Sequence, residues 1–480
     1  MHDNCGGRNL AASQPLVAPA CVTVSELAAA IGAQSTLDPT VLNGVVTDSR
    51  ALASGSVFFA LVGERFDGHD FVDAAIQAGV GAVVVAAGRG VPGAHVPVLE
   101  VADTLTALGD LAAAWRRRFT MPVVAITGSN GKTTTKEIAR SIFAAAFGAE
   151  QVLATAGNFN NLIGMPLTAL HVSEAHRAAI FEMGMNEPGE IARMVEIAAP
   201  TIGLITCVAE AHLEGLGSIE GVAQAKGELF AGLPASAVAV VNDDDPHVAA
   251  QSQRFAGRVL RFGTKAEVTA EAIELDGLSR ATFRLCWDAQ SVPVELCLGG
   301  RHNVWNAVGA AACAIAAGID LETIARGLAA VEPPPMRFQA ERLACGVHLV
   351  NDAYNANPGS VAASLGVLAD AYSGRNVVVL GDMGELGPRA AALHEDIGRK
   401  AAAAKPRLLA ALGEFASDIL RGARKAGMPE EALFEGASHE ATARAVANVW
   451  CEGDAVLVKG SRGSAMERVA EELERLARLT

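Results

Sequence analysis

The amino-acid sequence predicts an α/β protein of three domains, two of them doubly wound around parallel sheets. Three observations carry that expectation. From Met121 onward, short apolar strands alternate with helix-period segments, the pattern of a parallel sheet covered on both faces. Most of these strands end in a polar or Gly-containing tip: Val123–Ile126 leads to Gly128, and Val377–Leu380 leads to Gly381-Asp382. Finally, Pro333-Pro334-Pro335 cannot continue a helix, and beyond it the alternation restarts. At about 150 residues per domain, 480 residues leave room for roughly three domains.

Residues 1–20, MHDNCGGRNLAASQPLVAPA, carry an early Asp and no unbroken apolar stretch, so they read as a loose extension and not as a signal peptide. Residues 21–118 mix short strands and helices. VFFAL (57–61) and AVVVAA (82–87) are strand-like, and Leu105, Leu108, Leu111 and Trp115 recur at helical spacing between Asp103 and Arg118. Asp103 or Thr104 is the expected cap of that helix. Residues 119–335 form the expected central domain, with strands Val123–Ile126, Ala178–Phe181, Ile202–Thr206 and Val238–Val241. Residues 336–480 form a second, smaller doubly wound domain. There Leu349–Val350 leads to Asp352, Leu408–Leu412 ends at Gly413-Glu414, and Ala455–Val458 ends at Lys459. Ligands of such sheets bind beyond the carboxyl ends of the strands, so those tips are where chemistry is sought.

A formal charge of −15 and the absence of any Lys/Arg run argue against a nucleic-acid partner. Any anionic ligand must be held by local devices. Eight Cys without a CxxC pair read as reduced, mostly buried thiols in a reducing compartment. The longest small-apolar runs, such as Ala307–Gly318, fall short of the roughly 18 residues a membrane span needs. A soluble, cytoplasmic protein without a membrane span is expected.

The strongest local signal is VVAITGSNGKTTTKEIA, residues 123–139. A β-run enters a Gly-bounded turn and then a helix. Amides of Gly128, Ser129, Asn130 and Gly131 can face phosphate oxygens, and the helix N-terminus adds positive potential. Lys132 would reach the β/γ-phosphates, the Thr133 hydroxyl would hold Mg²⁺, and Thr134 follows on the same turn. Only two residues separate the glycines and Ile126 stands where the common P-loop pattern has its first Gly; an ordinary Gly turn before a helix is the blander reading. Lys-Thr in strand–loop–helix context favours phosphate.

Other tips are less decided by spacing. Glu182 stands where a metal-holding carboxylate would sit on a second strand, or caps a strand end in solvent. His212 is a candidate nitrogen ligand or a structural histidine. Lys226, in GVAQAKGELF, reads bottom-up as a surface helix lysine; the alternative is a desolvated amine that captures CO₂ as a carbamate. Asn158, Asn160 and Asn161 make turns or present amides to a substrate.

TGSNGKTTTKE, TAGNFNNLIGMP, FEMGMNEPGEI, AHLEGLGSIEGVAQAKGELF, GRHNVWNA, NDAYNANPGS, GDMGELG and KGSRGSAME stand in the order seen in Mur ligases, and VTDSRALASGSVFFALVGERFDGHDF (46–71) is similar to the family's uridine-binding domain. The chain thus resembles the Mur ligase family over nearly its whole length beyond the first twenty residues. The resemblance is greatest to the branch that joins D-alanyl-D-alanine to UDP-N-acetylmuramoyl-tripeptide. It implies a uridine-binding domain, a P-loop ATPase domain and a Rossmann-like domain. ATP and two Mg²⁺ ions are implied cofactors, and UDP-N-acetylmuramoyl-tripeptide and D-alanyl-D-alanine the small-molecule partners of a monomer.

The resemblance also implies roles. Lys132, Lys226 and His212 are the catalytic positions, with Thr133, Glu182, His212 and an N6-carboxylated Lys226 around metal. Asn303, Asn306, Arg337 and Asp352 join the loop as nucleotide contacts. Ser49 and Arg50 match uracil and phosphate contacts, and the three asparagines match substrate contacts. Asn355, Asn357, Lys459, Ser461 and Arg462 fall on third-domain loops facing the active centre. Glu187 departs from the family pattern, which more often has His there. A ligase of another branch, MurE-like or folylpolyglutamate synthase-like, is the nearer alternative, and a P-loop regulator without ligase chemistry the more distant one.

Overall fold

The computed structural model describes residues 18–34, 37–63, 66–210, 213–276, 280–372 and 374–479, arranged on three β-sheets. The first has five strands in chain order: Ala18–Thr23, Val41–Val46, Val57–Phe59, Ala82–Ala86 and Val98–Val101. Its first pair is antiparallel and the rest are parallel. The first strand begins before the expected domain limit at residue 21: Ala18 and Ala20 already alternate inward on an edge strand, fully or almost fully buried. Small Ala side chains beside a proline gave no strand signal. Residues 1–17 lie outside the described residues. The helix Thr104–Arg116 is capped by Asp103, whose carboxylate accepts from the Thr106 amide at 2.6 Å.

The central sheet has nine strands, ordered Gln290–Gly299, Arg280–Trp287, Val268–Leu275, Arg258–Phe262, Val238–Asn242, Ile202–Ile205, Val123–Thr127, Ala178–Glu182, Val152–Ala154. Val123–Thr127 sits inside, parallel to both neighbours, so the tips of Ala178–Glu182 and Ile202–Ile205 flank its own. Helices Lys132–Phe147 and Arg301–Ala316 share its core through Ile138, Ile142, Phe143, Val304 and Val308. Truncating a buried phenylalanine such as Phe143 would cost about 3–5 kcal/mol. The three antiparallel strands at one end were not foreseen. Asp288 and Ala289 both take positive φ between Trp287 and Gln290, as in a two-residue hairpin whose usual Asn-Gly signal is missing.

The third sheet runs Gln339–Arg342, His348–Asp352, Ala455–Lys459, Asn376–Gly381, Leu408–Leu412, Leu433–Glu435, antiparallel only at its first pair. The last strand in the chain, Ala455–Lys459, is inserted between the two that open the parallel run. This topological switch brings Asp352, Lys459 and Gly381 side by side at the carboxyl edge.

By contacts the chain divides into two units: residues 1–120, 155–174 and 196–199, and residues 121–154, 175–195 and 200–480. The asparagine-rich segment thus groups with the first sheet. Within that unit the Trp115 indole donates to the Val172 carbonyl at 2.9 Å. No helix among the described residues is long and apolar enough to cross a membrane. The expectation of mostly buried thiols is corrected: among the described cysteines only Cys313 is buried, while Cys21, Cys297 and Cys451 are exposed. Cys21 and Cys297 lie at outward-facing positions of alternating edge strands, where spacing alone gives no sign of side.

Candidate active site

The site starts where Val123–Thr127 gives way to Gly128-Ser129-Asn130-Gly131. Gly128 has φ +149° and Gly131 φ +81°. A Cβ on Gly128 would collide with the Thr206 hydroxyl, and one on Gly131 with the Asn306 amide, so both glycines are required by close approach as well as by backbone. The loop is tied down from the neighbouring strand tip: the Ser129 amide donates to the Cys207 carbonyl at 2.8 Å, and the Ser129 hydroxyl donates to the Ala209 carbonyl at 3.0 Å.

Lys132 and Thr133 open the helix Lys132–Phe147, and Thr134 is buried on its first turn. The Lys132 ammonium folds back to donate to the Gly128 carbonyl at 2.7 Å. Burial lowers its pKa, the Glu182 carboxylate opposes that shift and Arg337 adds to it. The Thr133 hydroxyl donates to Glu182 Oε1 at 3.1 Å and accepts from Arg337 Nη2, also at 3.1 Å. Two cations, a buried carboxylate and a hydroxyl therefore meet at the tip of a phosphate-type loop.

Thr133 and Glu182 offer hard oxygens from adjacent tips, a donor pair that fits one Mg²⁺ completed by water and phosphate oxygens. Among the described residues no group of three His, Cys, Asp or Glu converges as a metal cage. His212 lies outside the described residues. Lys226, on the helix Ile219–Gly232, is 1 % exposed, which corrects its reading as a surface lysine. Burial holds its pKa well below the ordinary lysine value and repulsion from Lys132 lowers it further. An amine is not a ligand for Mg²⁺, so Lys226 fits a metal only after conversion to an oxygen donor.

Asn303 donates to the Gly299 carbonyl at 2.7 Å and accepts from Asn306 at 2.9 Å. Asn306 lines a small cavity with Thr135, Thr206, Asn242, Phe262 and Trp305. Segments between strands of the third sheet also reach this edge of the central sheet. Asn357 caps the helix Pro358–Ala371 and donates to Asn130 Oδ1 at 2.7 Å, while Arg389 pairs with Glu210 at 2.7 Å.

Asp352 and Lys459 form a buried ion pair at 2.6 Å. Asp352 also accepts from the Phe338 amide at 3.1 Å and the Ser364 hydroxyl at 2.7 Å. Lys459 donates in addition to the Asn355 carbonyl at 3.2 Å. Asn355 itself is exposed. Ser461 bonds Ser464, and the exposed Arg462 pairs with Glu467 at 2.9 Å.

The sequence reading assigned nothing to Asp382, Glu385 or Glu414, which line an open cavity of about 390 Å³ with Met383, Phe415 and Ser461. Asp382 accepts from the amides of Glu414 at 2.9 Å and Phe415 at 3.0 Å. The signals available were the strand tips before Asp382 and Glu414 and the motif GDMGELG, which holds Asp382 and Glu385.

In the first unit, Ser49 and Arg50 form a short 3₁₀ turn capped by Asp48, which also pairs with the exposed Arg50 guanidinium. Asn161 Oδ1 accepts from the amides of Ile163 and Gly164, at 3.1 and 2.8 Å, building the turn before Gly164–Ala169. The Asn160 amide bonds the Asn158 carbonyl at 2.7 Å. Glu187 is exposed, its amide donating to Glu190.

A phosphate loop beside a carboxylate tip, with a second parallel sheet contributing arginine and asparagine, defines a nucleotide-using α/β enzyme. Family models agree: the Mur ligase family catalytic domain matches residues 41–116, the Mur ligase middle domain 126–314, and the Mur ligase glutamate ligase domain 336–462. The chain belongs to the Mur ligase family. It is 39 % identical to the UDP-N-acetylmuramoyl-tripeptide--D-alanyl-D-alanine ligase of Escherichia coli K12 over 458 residues, 94 % of this chain and 98 % of the relative. A crystal structure of MurF from Acinetobacter baumannii is 33 % identical, with a TM-score of 0.87, over 95 % of this chain and all of that one. MurF from Thermotoga maritima in complex with ADP is 27 % identical, with a TM-score of 0.81, over 91 % and 98 % of the two chains.

Proposed function

We propose that the chain joins D-alanyl-D-alanine to UDP-N-acetylmuramoyl-tripeptide at the expense of ATP, a cytoplasmic step of peptidoglycan precursor synthesis. The convergence of Lys132, Thr133, Glu182 and Arg337 at one strand tip carries the reading. A carboxylate is a poor electrophile. Its oxygen attacks the γ-phosphorus of ATP, ADP leaves, and an acyl phosphate results. The neutral amine of the dipeptide attacks the acyl carbon, phosphate departs, and the nitrogen loses a proton. Lys132 and Arg337 offset the charge of two anions brought together, which is where such sites gain most of their rate. Mg²⁺ held by Thr133 and Glu182 would supply further charge neutralisation on the triphosphate.

Lys226 is assigned as a carbamate. Its depressed pKa favours the neutral amine, which adds to CO₂ and loses a proton, placing one negative charge, shared by two oxygens, beside the Lys132 cation. The cavity around Asp382, Glu385 and Glu414 is assigned to the dipeptide, whose ammonium the carboxylates would attract. Ser49, Arg50 and the asparagines of residues 158–161 are assigned to the UDP-sugar-peptide. The chain is assigned three domains, 21–118, 119–335 and 336–480, with the first strand reaching back to Ala18 and residues 155–174 grouping with the first domain.

The test is the product. Incubated with ATP, magnesium and a UDP-tripeptide bearing diaminopimelate or lysine, the enzyme is expected to add the mass of D-alanyl-D-alanine less water. Addition of a single amino acid in preference to the dipeptide would move the chain to another branch of the family.

A further inference from the structure

Arg337 is held in an unusual way. Its guanidinium lies over the Tyr354 ring, 4.0 Å from the centroid, and donates to the Thr133 hydroxyl. Its buried Nε has no hydrogen-bond partner among the described residues. The backbone around it is tightly specified. Met336 and Phe338 on either side take φ of +57° and +51°, a region non-glycine residues rarely occupy. The Tyr354 amide donates to the Met336 carbonyl at 3.2 Å, and the Phe338 amide donates to Asp352. Asp352 is in turn fixed by Lys459 and Ser364. The strand tip at Asp352 therefore grips the backbone on both sides of Arg337, while the ring two residues on supports its side chain.

A carboxylate in place of the ring would fix the guanidinium equally well but neutralise it. An aromatic face steadies a planar cation through its quadrupole and leaves the net charge for an anion. We propose that Tyr354 is a positioning residue: its ring holds the Arg337 cation over the phosphate loop with its charge available to the triphosphate and the developing acyl phosphate. This rests on the ligase reading for its chemistry, though not for the geometry.

The test is a double-mutant cycle of Tyr354→Leu and Arg337→Ala. It is read by acceptor-dependent phosphate release and by calorimetric affinity for a non-hydrolysable ATP analogue. Tyr354→Leu is expected to lower kcat or analogue affinity roughly ten-fold, the scale of a desolvated cation–π contact. The KM for the UDP substrate and the melting temperature should stay near wild type. Tyr354→Phe, which keeps the ring, should restore most of the loss, and Tyr354→Leu should add nothing once Arg337 is alanine.

Wild-type behaviour of Tyr354→Leu in both readouts would overturn the proposal. So would multiplicative effects of the two substitutions in both, or a Tyr354→Phe as impaired as Tyr354→Leu. Analogue binding with the expected coupling but no turnover by wild type would instead overturn the ligase reading and leave this one standing.

Discussion

The carboxyl edges of the central and third sheets use polar groups in opposite ways. At the central edge, Gly128, Gly131, Lys132 and Thr133 come from one short run, and the loop is shaped by glycine and by bonds to its own backbone. At the third edge, Asp352 and Lys459 engage each other and their surroundings, and Asp382 binds the amides of the next loop. The first edge is built to meet a ligand. At the second, Asp352 and Lys459 serve to hold a few groups, Arg337 and Asn357 among them, against the first, and the cavity beside Asp382 is left for a ligand. Strand tips with similar letters can thus be contact residues in one sheet and scaffolding in another.

The comparison is broken most easily at Lys132. Lys132→Ala should reduce phosphate release by about 10²–10³ or more while leaving the circular dichroism and melting profile of the fold unchanged. A folded variant with near-normal turnover would remove the phosphate loop from catalysis. Lys226→Ala should be nearly as damaging, with partial rescue by short carboxylates, and wild type should lose activity in CO₂-depleted buffer. Full activity of the variant without CO₂ would return Lys226 to a structural role.

Asp352→Asn against Glu182→Gln sharpens the contrast. Breaking the buried Asp352–Lys459 pair leaves an ammonium without its counter-charge, so denaturant unfolding should show a loss of about 3–5 kcal/mol. Glu182→Gln should instead unfold close to wild type and fail in turnover. Equal stability losses in the two would erase the distinction between scaffold and contact.

Smaller effects lie farther out. Arg50→Ala should raise the KM for the UDP substrate several-fold with little change in kcat, as expected for an interaction made equally in ground and transition states. Equal shifts in the KM for ATP would argue against the uridine assignment. His394 gives the mildest expectation. It is buried, its Nε2 accepts from the Met383 amide at 2.8 Å, and burial lowers its pKa below 6.5. The unfolded chain then binds a proton that the folded chain does not. Stability should fall as pH drops below about 6.5 toward the folded pKa, and His394→Gln should flatten that slope in pH-dependent denaturant titrations.

The two edges also differ in how much of them the sequence revealed. The phosphate loop is local: strand, turn, Lys132 and helix start lie within one run, so period and turn chemistry suffice. The parallel strands of the central and third sheets were legible for the same reason, whereas Ala18–Thr23 and the three antiparallel strands at one end of the central sheet were not. Asp352 and Lys459 are 107 residues apart, and only the insertion of the last strand makes them neighbours. Motif order brought them to notice, but nothing local says that they bind each other. Tyr354 lay inside a quoted motif, and its partnership with Arg337 depends on two positive-φ residues that composition does not announce. Spacing alone reads Lys226 as a surface residue, because a helix lysine carries no mark of burial; only the family resemblance pointed to a buried, functional one.

The most direct measurement is phosphate release from ATP with a UDP-tripeptide, with and without D-alanyl-D-alanine. The account predicts release that depends on both substrates and matches the amide formed one for one. Release that ignores the dipeptide, or none with either UDP-tripeptide, would contradict it.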